Sequence, residues 1–219
     1  SGHMPTIGEG DWVLLLLSGG ERRLMQMRSS AKIHIGRSNV SAAPLLGAPY
    51  GSNFRLEASE GGSKKAQEGL VADPRTVEQI EGAVGDVLAD MRSEAAAAGE
   101  GADKGGGEKR TNATLNDDGT AQALDDQAIK RMKQEGAHGE AIVRALAQNS
   151  ASFAGKTAFS QEKWMKKKAK RHLLYLTAAR PTVLSLVDMY TAKGPDKLCG
   201  LRRDSLALLL SLSNVQPGS

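Results

Sequence analysis

The chain has one cysteine, Cys199, among 219 residues. That excludes an internal disulfide and any cysteine-cluster zinc site, and it fits a reducing compartment. Cys199 lies in a loop pattern and reads as a bystander thiol. Aromatic residues are only 4% of the chain, so the core must be aliphatic. Long hydrophobic runs are missing: Trp12 to Leu17 is far too short to span a bilayer. No secretory signal is visible. The histidines are His3, His34, His138 and His172, none at a telling spacing from an acid or nucleophile. His34 sits in a strand pattern and reads as a surface or lining residue. Gly99 to Gly107 is glycine-rich, but a phosphate-cradling loop needs a strand before it and a helix after it, and neither pattern is there. Asp117-Asp118-Gly119 lacks the further oxygen ligands of a calcium loop and reads as a turn. No catalytic constellation emerges.

What is present is positive charge, unevenly placed. Lys+Arg is 29 against Asp+Glu 25, a net of +4. Ser152 to Arg203 holds twelve Lys/Arg and three acids, Glu162, Asp188 and Asp196, a net of +9. The remainder therefore carries −5. Such a block suits a local polyanion-binding face. Its centre is Lys163-Trp164-Met165-Lys166-Lys167-Lys168-Ala169-Lys170-Arg171-His172, with six permanent positive charges, no acid and one large ring. A cationic helix of this kind fits a phosphate backbone, and Trp164 could stack on an exposed base. A solvated Lys-rich helix face, with Trp164 packed on a neighbouring helix, fits the composition as well. Two weaker basic groups accompany it: Arg202-Arg203 with Lys193 and Lys197, and Arg22-Arg23 with Arg28, Lys32 and Arg37. Each alone is an ordinary surface; together they could form a track.

Three zones follow from patterning, after Ser1-Gly2-His3-Met4, which resembles the scar of a cleaved tag (residues 1–4). Residues 5–58 show short runs punctuated by Gly, Pro and Ser. Trp12–Leu17 reads as a buried strand, with further strands at Leu24–Arg28, Lys32–Gly36, Pro44–Gly47 and Asn53–Glu57. This predicts a small antiparallel sheet or β-barrel. Residues 59–118 read as an insert. A helix is predicted with Asp73 as N-cap and Pro74 at its first position, carrying the stripe Val77, Ile80, Val84, Val87, Leu88 and Met91. Ala95 to Gly107 reads as a flexible linker. Residues 119–219 predict helices over Asp125–Gln134, from Gly139 and through the basic segment. A strand at Leu173–Ala178, a helix over Val183–Tyr190 and a last helix capped by Asp204 or Ser205 follow. The fold class is α+β: a small antiparallel β-barrel followed by a mainly helical basic region.

The third zone also carries a specific resemblance. The residues are Asp117-Asp118-Gly119-x-x-Gln122-x-Leu124, Ile129-Lys130, Gly136-x-x-Gly139-x-x-Ile142-Val143 and Asn149-Ser150-x-x-Phe153-x-x-Lys156-Thr157-x-Phe159-x-Gln161-x-Lys163-Trp164-x-Lys166-Lys167-Lys168. With Gly8-Glu9-Gly10-Asp11-Trp12-Val13 and Tyr50-Gly51-Ser52-Asn53-Phe54, this resembles the non-catalytic subunit of eukaryotic tRNA (adenine-N1) methyltransferase, which acts on adenine 58. The resemblance covers about Ile7–Phe54 and Asn116–Ser219, while Ser59–Thr114 departs from it. It implies an N-terminal β-barrel with helical additions and then a Rossmann-like methyltransferase domain. Pro217-Gly218 resembles the pair that precedes the first strand of such a domain, so the resemblance implies a fragment lacking the Rossmann-like domain. It implies a nuclear, non-enzymatic, tRNA-binding subunit in a heterotetramer. S-adenosylmethionine would be bound by the catalytic partner subunit, with no cofactor in this fragment and no membrane. Lys163, Trp164, Lys166, Lys167, Lys168, Lys170, Arg171, Arg202, Arg203, Arg22 and Arg23 are then the candidate RNA contacts. An assembly scaffold docking on the catalytic subunit through Val183–Tyr190 or Leu206–Leu212 is the alternative. A truncated active methyltransferase would need a cofactor pocket, and a link to translation initiation is not tested by these residues.

Overall fold

A computed structural model of the chain describes residues 5–59, 67–97 and 123–214. The described residues form seven strands: β1 (Trp12–Leu17), β2 (Arg22–Gln26), β3 (Lys32–Ile35), β4 (Ser38–Ser41), β5 (Ser52–Ser59), β6 (Gln67–Asp73) and β7 (Tyr175–Ala179). Six helices accompany them: α1 (Val77–Ala97), α2 (Asp126–Gln134), α3 (Gly139–Gln148), α4 (Ala158–His172), α5 (Val183–Lys193) and α6 (Arg203–Leu212). The architecture is α+β, an antiparallel sheet followed by helices.

Strand order in the main sheet is β2-β1-β7-β5-β6, and β3 pairs with β4 alone. Every ladder is antiparallel. The β-barrel expectation is corrected to this extent: no closed ring of ladders is found among the described residues. Alternation marks strands but not their partners, and the partner of β1 and β5 is β7, about 160 and about 120 residues away in sequence. The apolar run of β1 is explained by burial on both faces. Val13, Leu15 and Leu17 join the main core, and Leu14 on the opposite face is buried too. Ile33, Ile35 and Val40 of the β3–β4 ribbon pack into that same core with Phe54, Leu176 and Ala178.

Several local expectations change. Pro44–Gly47 is not a strand: Ala43–Leu45 is a short 3-10 turn with proline near its start. Strand β6 lies inside the segment read as an insert with one helix. Its sequence, Gln-Glu-Gly-Leu-Val-Ala-Asp, lacks clean alternation, and seven backbone pairings with β5 supply the order instead. Asp73 therefore ends a strand rather than capping a helix. Helix α1 begins four residues later, just after Thr76, and Thr76 and Gln79 exchange bonds there: Thr76 N–H donates to Gln79 Oε1 (2.9 Å) and Gln79 N–H to Thr76 Oγ1 (3.3 Å). The α1 stripe is real, with Ile80, Val84 and Leu88 buried. Helix α6 has Arg202 at its N-cap with no side-chain bond, so neither Asp204 nor Ser205 caps it. The Gly99–Gly107 stretch and Asp117-Asp118-Gly119 lie outside the described residues. No described helix is long and apolar enough to cross a membrane.

The helices form a second core. Val84 and Leu88 of α1, Val143 and Ala147 of α3, Phe153, and Met165 of α4 are buried together. Arg92 of α1 adds polar bonds to α4, to Gln161 Oε1 (3.2 Å) and the Ala158 carbonyl (3.1 Å).

Candidate nucleic-acid interface

Helix α4 carries the basic segment. Thr157 is its N-cap, accepting from the Ser160 N–H (3.3 Å). Met165 points inward and is 1% exposed. Lys163, Lys167 and Lys170 recur at i, i+4 and i+7, one line on the helix side away from Met165. All three are exposed. Among the described residues none of them has a carboxylate partner. The line rises about 10 Å along the axis. Lys170 and Arg171 also lie in the last turn, where the helix dipole favours cations.

The other α4 candidates are placed differently. Lys166 Nζ bonds Glu162 Oε1 (2.7 Å), which holds the Glu162 carboxyl below its usual range. Both are exposed, so this pair is weak and exchangeable. Trp164 is half-buried against Phe153, ring centroids 5.0 Å apart, with Lys168 Nζ 5.2 Å from the indole centroid. The ring's contacts are internal, as expected of a side chain packed in the helical core. Arg171 lies 4.0 Å from Asp126 of α2.

The two weaker basic groups meet at one acid. Arg22 of β2 and Arg203 of α6 both reach Asp188 of α5, Arg22 at 3.8 Å. Arg202 pairs with Asp204 at 3.2 Å. Arg23 is engaged within the sheet region: Nε and Nη2 grip Glu21 (2.7 and 2.9 Å) and Nη1 donates to the His34 carbonyl (2.7 Å). The structure brings Arg22 and Arg203 together but gives each a carboxylate. The α4 line Lys163, Lys167 and Lys170 has no such carboxylate among the described residues.

Sequence reasoning missed what fixes α4 in place. Helix α2 ends at Gln134 with Glu135 as its C-cap, followed by Gly136 at φ +79° in the left-handed region. There Ala137 N–H donates to the Met132 carbonyl and Gly136 N–H to the Lys133 carbonyl. Two residues on, Gly139 opens α3 against the carboxyl end of α4. Arg75 then ties sheet to helix: it grips Asp73 of β6 through Nη2 (2.8 Å) and Nε (3.0 Å), and Glu140 of α3 through Nη1 (2.6 Å). The sequence signals were the Gly136-x-x-Gly139 spacing and the Asp73-x-Arg75 pair.

His172 sits at the junction of α4 and β7. Burial first, then the charges of Arg171, Lys133 and Lys168, push its pKa down to about 4 from 6.5. Among the described residues its buried Nδ1 has no hydrogen-bond partner. The unfolded chain therefore takes up this proton first as pH falls. Stability is unaffected by His172 above about pH 6.5 and declines from there to about pH 4. Urea midpoints measured across that window should fall with pH, and His172→Gln should flatten the decline between pH 6.5 and 5.

Comparison with known proteins gives the family. A profile described as the Gcd10p family matches residues 6–219. The chain belongs to the Gcd10p family. Similar proteins are tRNA (adenine(58)-N(1))-methyltransferase non-catalytic subunits. That of Dictyostelium discoideum is 30% identical over 214 residues, 97% of this chain and 36% of the relative. That of Mus musculus is 40% identical over 108 residues, 49% of this chain and 22% of the relative. That of Schizosaccharomyces pombe is 26% identical over 221 residues, 99% of this chain and 41% of the relative. The chain thus spans less than half the length of these Gcd10p-family relatives. The resemblance carried by the Gly136-x-x-Gly139 and Lys163-Trp164-x-Lys166 segments is borne out.

Proposed function

We propose that this chain is a tRNA-binding part of a non-catalytic subunit, helping to hold tRNA while a catalytic partner methylates adenine 58. The observation that carries the reading is the open line Lys163, Lys167 and Lys170 on the outer side of α4, in a chain whose relatives are named as non-catalytic subunits of that methyltransferase. The lysines would contact phosphates, which positions RNA without reading sequence. Lys166, Lys168 and Arg171 flank the line. S-adenosylmethionine and the methyl-transfer chemistry belong to the partner, within a hetero-oligomer, and the site of action is the nucleus.

The test is a tRNA binding curve on the 219-residue chain across a salt series. Binding should weaken steeply with salt. The triple variant Lys163→Glu, Lys167→Glu and Lys170→Glu should bind at least tenfold more weakly and flatten the slope of log affinity against log salt by about 2. Unchanged affinity and slope would remove α4 from the interface.

A second reading has its own observation. Val183 and Leu184 of α5 are each 55% exposed, and Leu208 and Leu212 of α6 are 61% and 78% exposed. Helix α6 buries none of its residues. A groove of about 430 Å³ runs between α5 and the start of α6, lined by Val187, Thr191, Leu198 and Leu201. This face suits docking on the catalytic subunit. Titration with that subunit alone, and with tRNA alone, separates scaffold from RNA binder.

A further inference from the structure

We infer that the phosphate-binding face continues from α4 onto α2 through Lys130, and that Asp126 occupies Arg171 as an internal stand-in for a phosphate. This rests on the tRNA-binding reading above. The geometry begins at the Arg171–Asp126 contact, 4.0 Å, which sets the last turn of α4 beside the first turn of α2. Asp126, Lys130 and Lys133 are spaced i, i+4 and i+7 and share one face of α2. Lys133 on that face bonds Glu68 of β6 (2.9 Å), so its ammonium is held down on the sheet. The charges of Asp126 and Lys133 both reach His172 at the end of α4, which places this α2 face along that end. Lys130 lies between them in sequence, is exposed, and has no ion-pair partner among the described residues. A strand of RNA following Lys163, Lys167 and Lys170 would meet Arg171 and then Lys130.

Asp126 stands at the crossing. Its side chain is 81% exposed and that of Arg171 54% exposed. An ion pair so exposed is weak, so a phosphate oxygen can displace the carboxylate and take over the guanidinium. The carboxylate then repels the same phosphate. Asp125, not Asp126, is the N-cap of α2, accepting the Ala128 N–H at 2.6 Å. Losing the Asp126 charge therefore leaves the cap intact.

Four forms of the full 219-residue chain are titrated with one tRNA transcript over a salt series: unaltered, the α4 triple variant, Lys130→Ala and Asp126→Asn. Thermal melting of each confirms that these exposed changes leave the fold in place. Lys130→Ala should weaken binding about threefold to tenfold and reduce the salt slope by about 0.7–0.9, one phosphate contact. Asp126→Asn should strengthen binding about twofold to fivefold and steepen the slope, since Arg171 is released and a repelling charge is gone. In two further forms, Arg171→Ala alone and combined with Asp126→Asn, the gain from Asp126→Asn should shrink. If the unaltered chain ignores tRNA, or the α4 triple variant binds normally, the tRNA reading itself fails. If the α4 variant is weakened while Lys130→Ala and Asp126→Asn match the unaltered chain in affinity and slope, the extension onto α2 is overturned and the α4 reading stands.

Discussion

Asp73→Ala is expected to lose about 3–5 kcal/mol of folding stability, the usual consequence of removing one partner of a buried ion pair. Its carboxylate is 0% exposed. It accepts from the Arg75 backbone N–H (3.0 Å) and from the Arg75 guanidinium, with Arg55 Nη1 a further 3.6 Å away. Deleting it leaves Arg75 and Arg55, whose side chains are 32% and 28% exposed, facing each other without the acid they share. Arg55 would keep Glu57 (2.5 Å) and Arg75 would keep Glu140 (2.6 Å), each with less than its full set of partners. The hydrogen bonds from Arg75 hold the Asp73 carboxyl below its usual 3.8. Stability from this group is therefore complete above the unfolded value and is lost as pH falls through the folded one. Urea unfolding at pH 7 is the measurement, with exposed Asp196→Ala as comparison, expected within about 0.5 kcal/mol of the unaltered chain. An Asp73→Ala protein as stable as that comparison would mean the network is ornamental. A domain of this size has about 5–15 kcal/mol in total, so the expected loss is a large share of it.

Gly139→Ala is the second large effect, because backbone cannot move aside as a side chain can. A Cβ at this position would lie 2.6 Å from the His172 carbonyl oxygen and 2.9 Å from the Leu173 Cα. The clash must be relieved by backing α3 away from the end of α4. That in turn opens the core shared by Val143, Ala147 and Met165. Overpacking typically costs about 1–3 kcal/mol, and the upper end is expected here since both neighbours are main chain. Gly85→Ala in α1 is the contrast: nothing lies within 4 Å of a Cβ there. In an exposed helix interior that change should stabilise by about 0.8–1 kcal/mol. Urea midpoints of the two variants should shift in opposite directions. A shift of the same sign in both would discard the close-approach argument. Because α3 is seated where α4 runs into β7, Gly139→Ala should also weaken tRNA binding through α4, without changing any charge.

Most individual elements were legible in the chain. Trp12–Leu17 reads as a buried strand: Leu14–Leu17 could be helical by propensity, but the short length of the run and the glycines bounding it favour a strand, and β1 is one. Ile142, Val143 and Leu146 marked the inner face of α3 by helical spacing, and all three are buried. Thr182 before a run of apolar residues marked the start of α5, where it forms a reciprocal cap with Ser185. Strand β6 was hidden because its residues earn their order from the ladder with β5. Asp73 was misread because an acid before Pro74 has the local signature of a helix cap. Its actual partners, Arg55 and Arg75, are identified only when β5 and β6 lie side by side.

For the basic face, composition and patterning in the chain alone located six cations on one helix, without separating Lys163, Lys167 and Lys170 from the rest. That information is local, set by 3.6 residues per turn. Which of those charges stay open was decided by the fold: Lys166 is taken by Glu162, Arg171 faces Asp126, and Arg22 and Arg203 share Asp188. Likewise, Leu173–Ala178 could be read as a strand, but its place between β1 and β5 could not. Pairing depends on which apolar surfaces find each other across long stretches of chain, and an aliphatic pattern with few aromatics specifies burial without naming the partner.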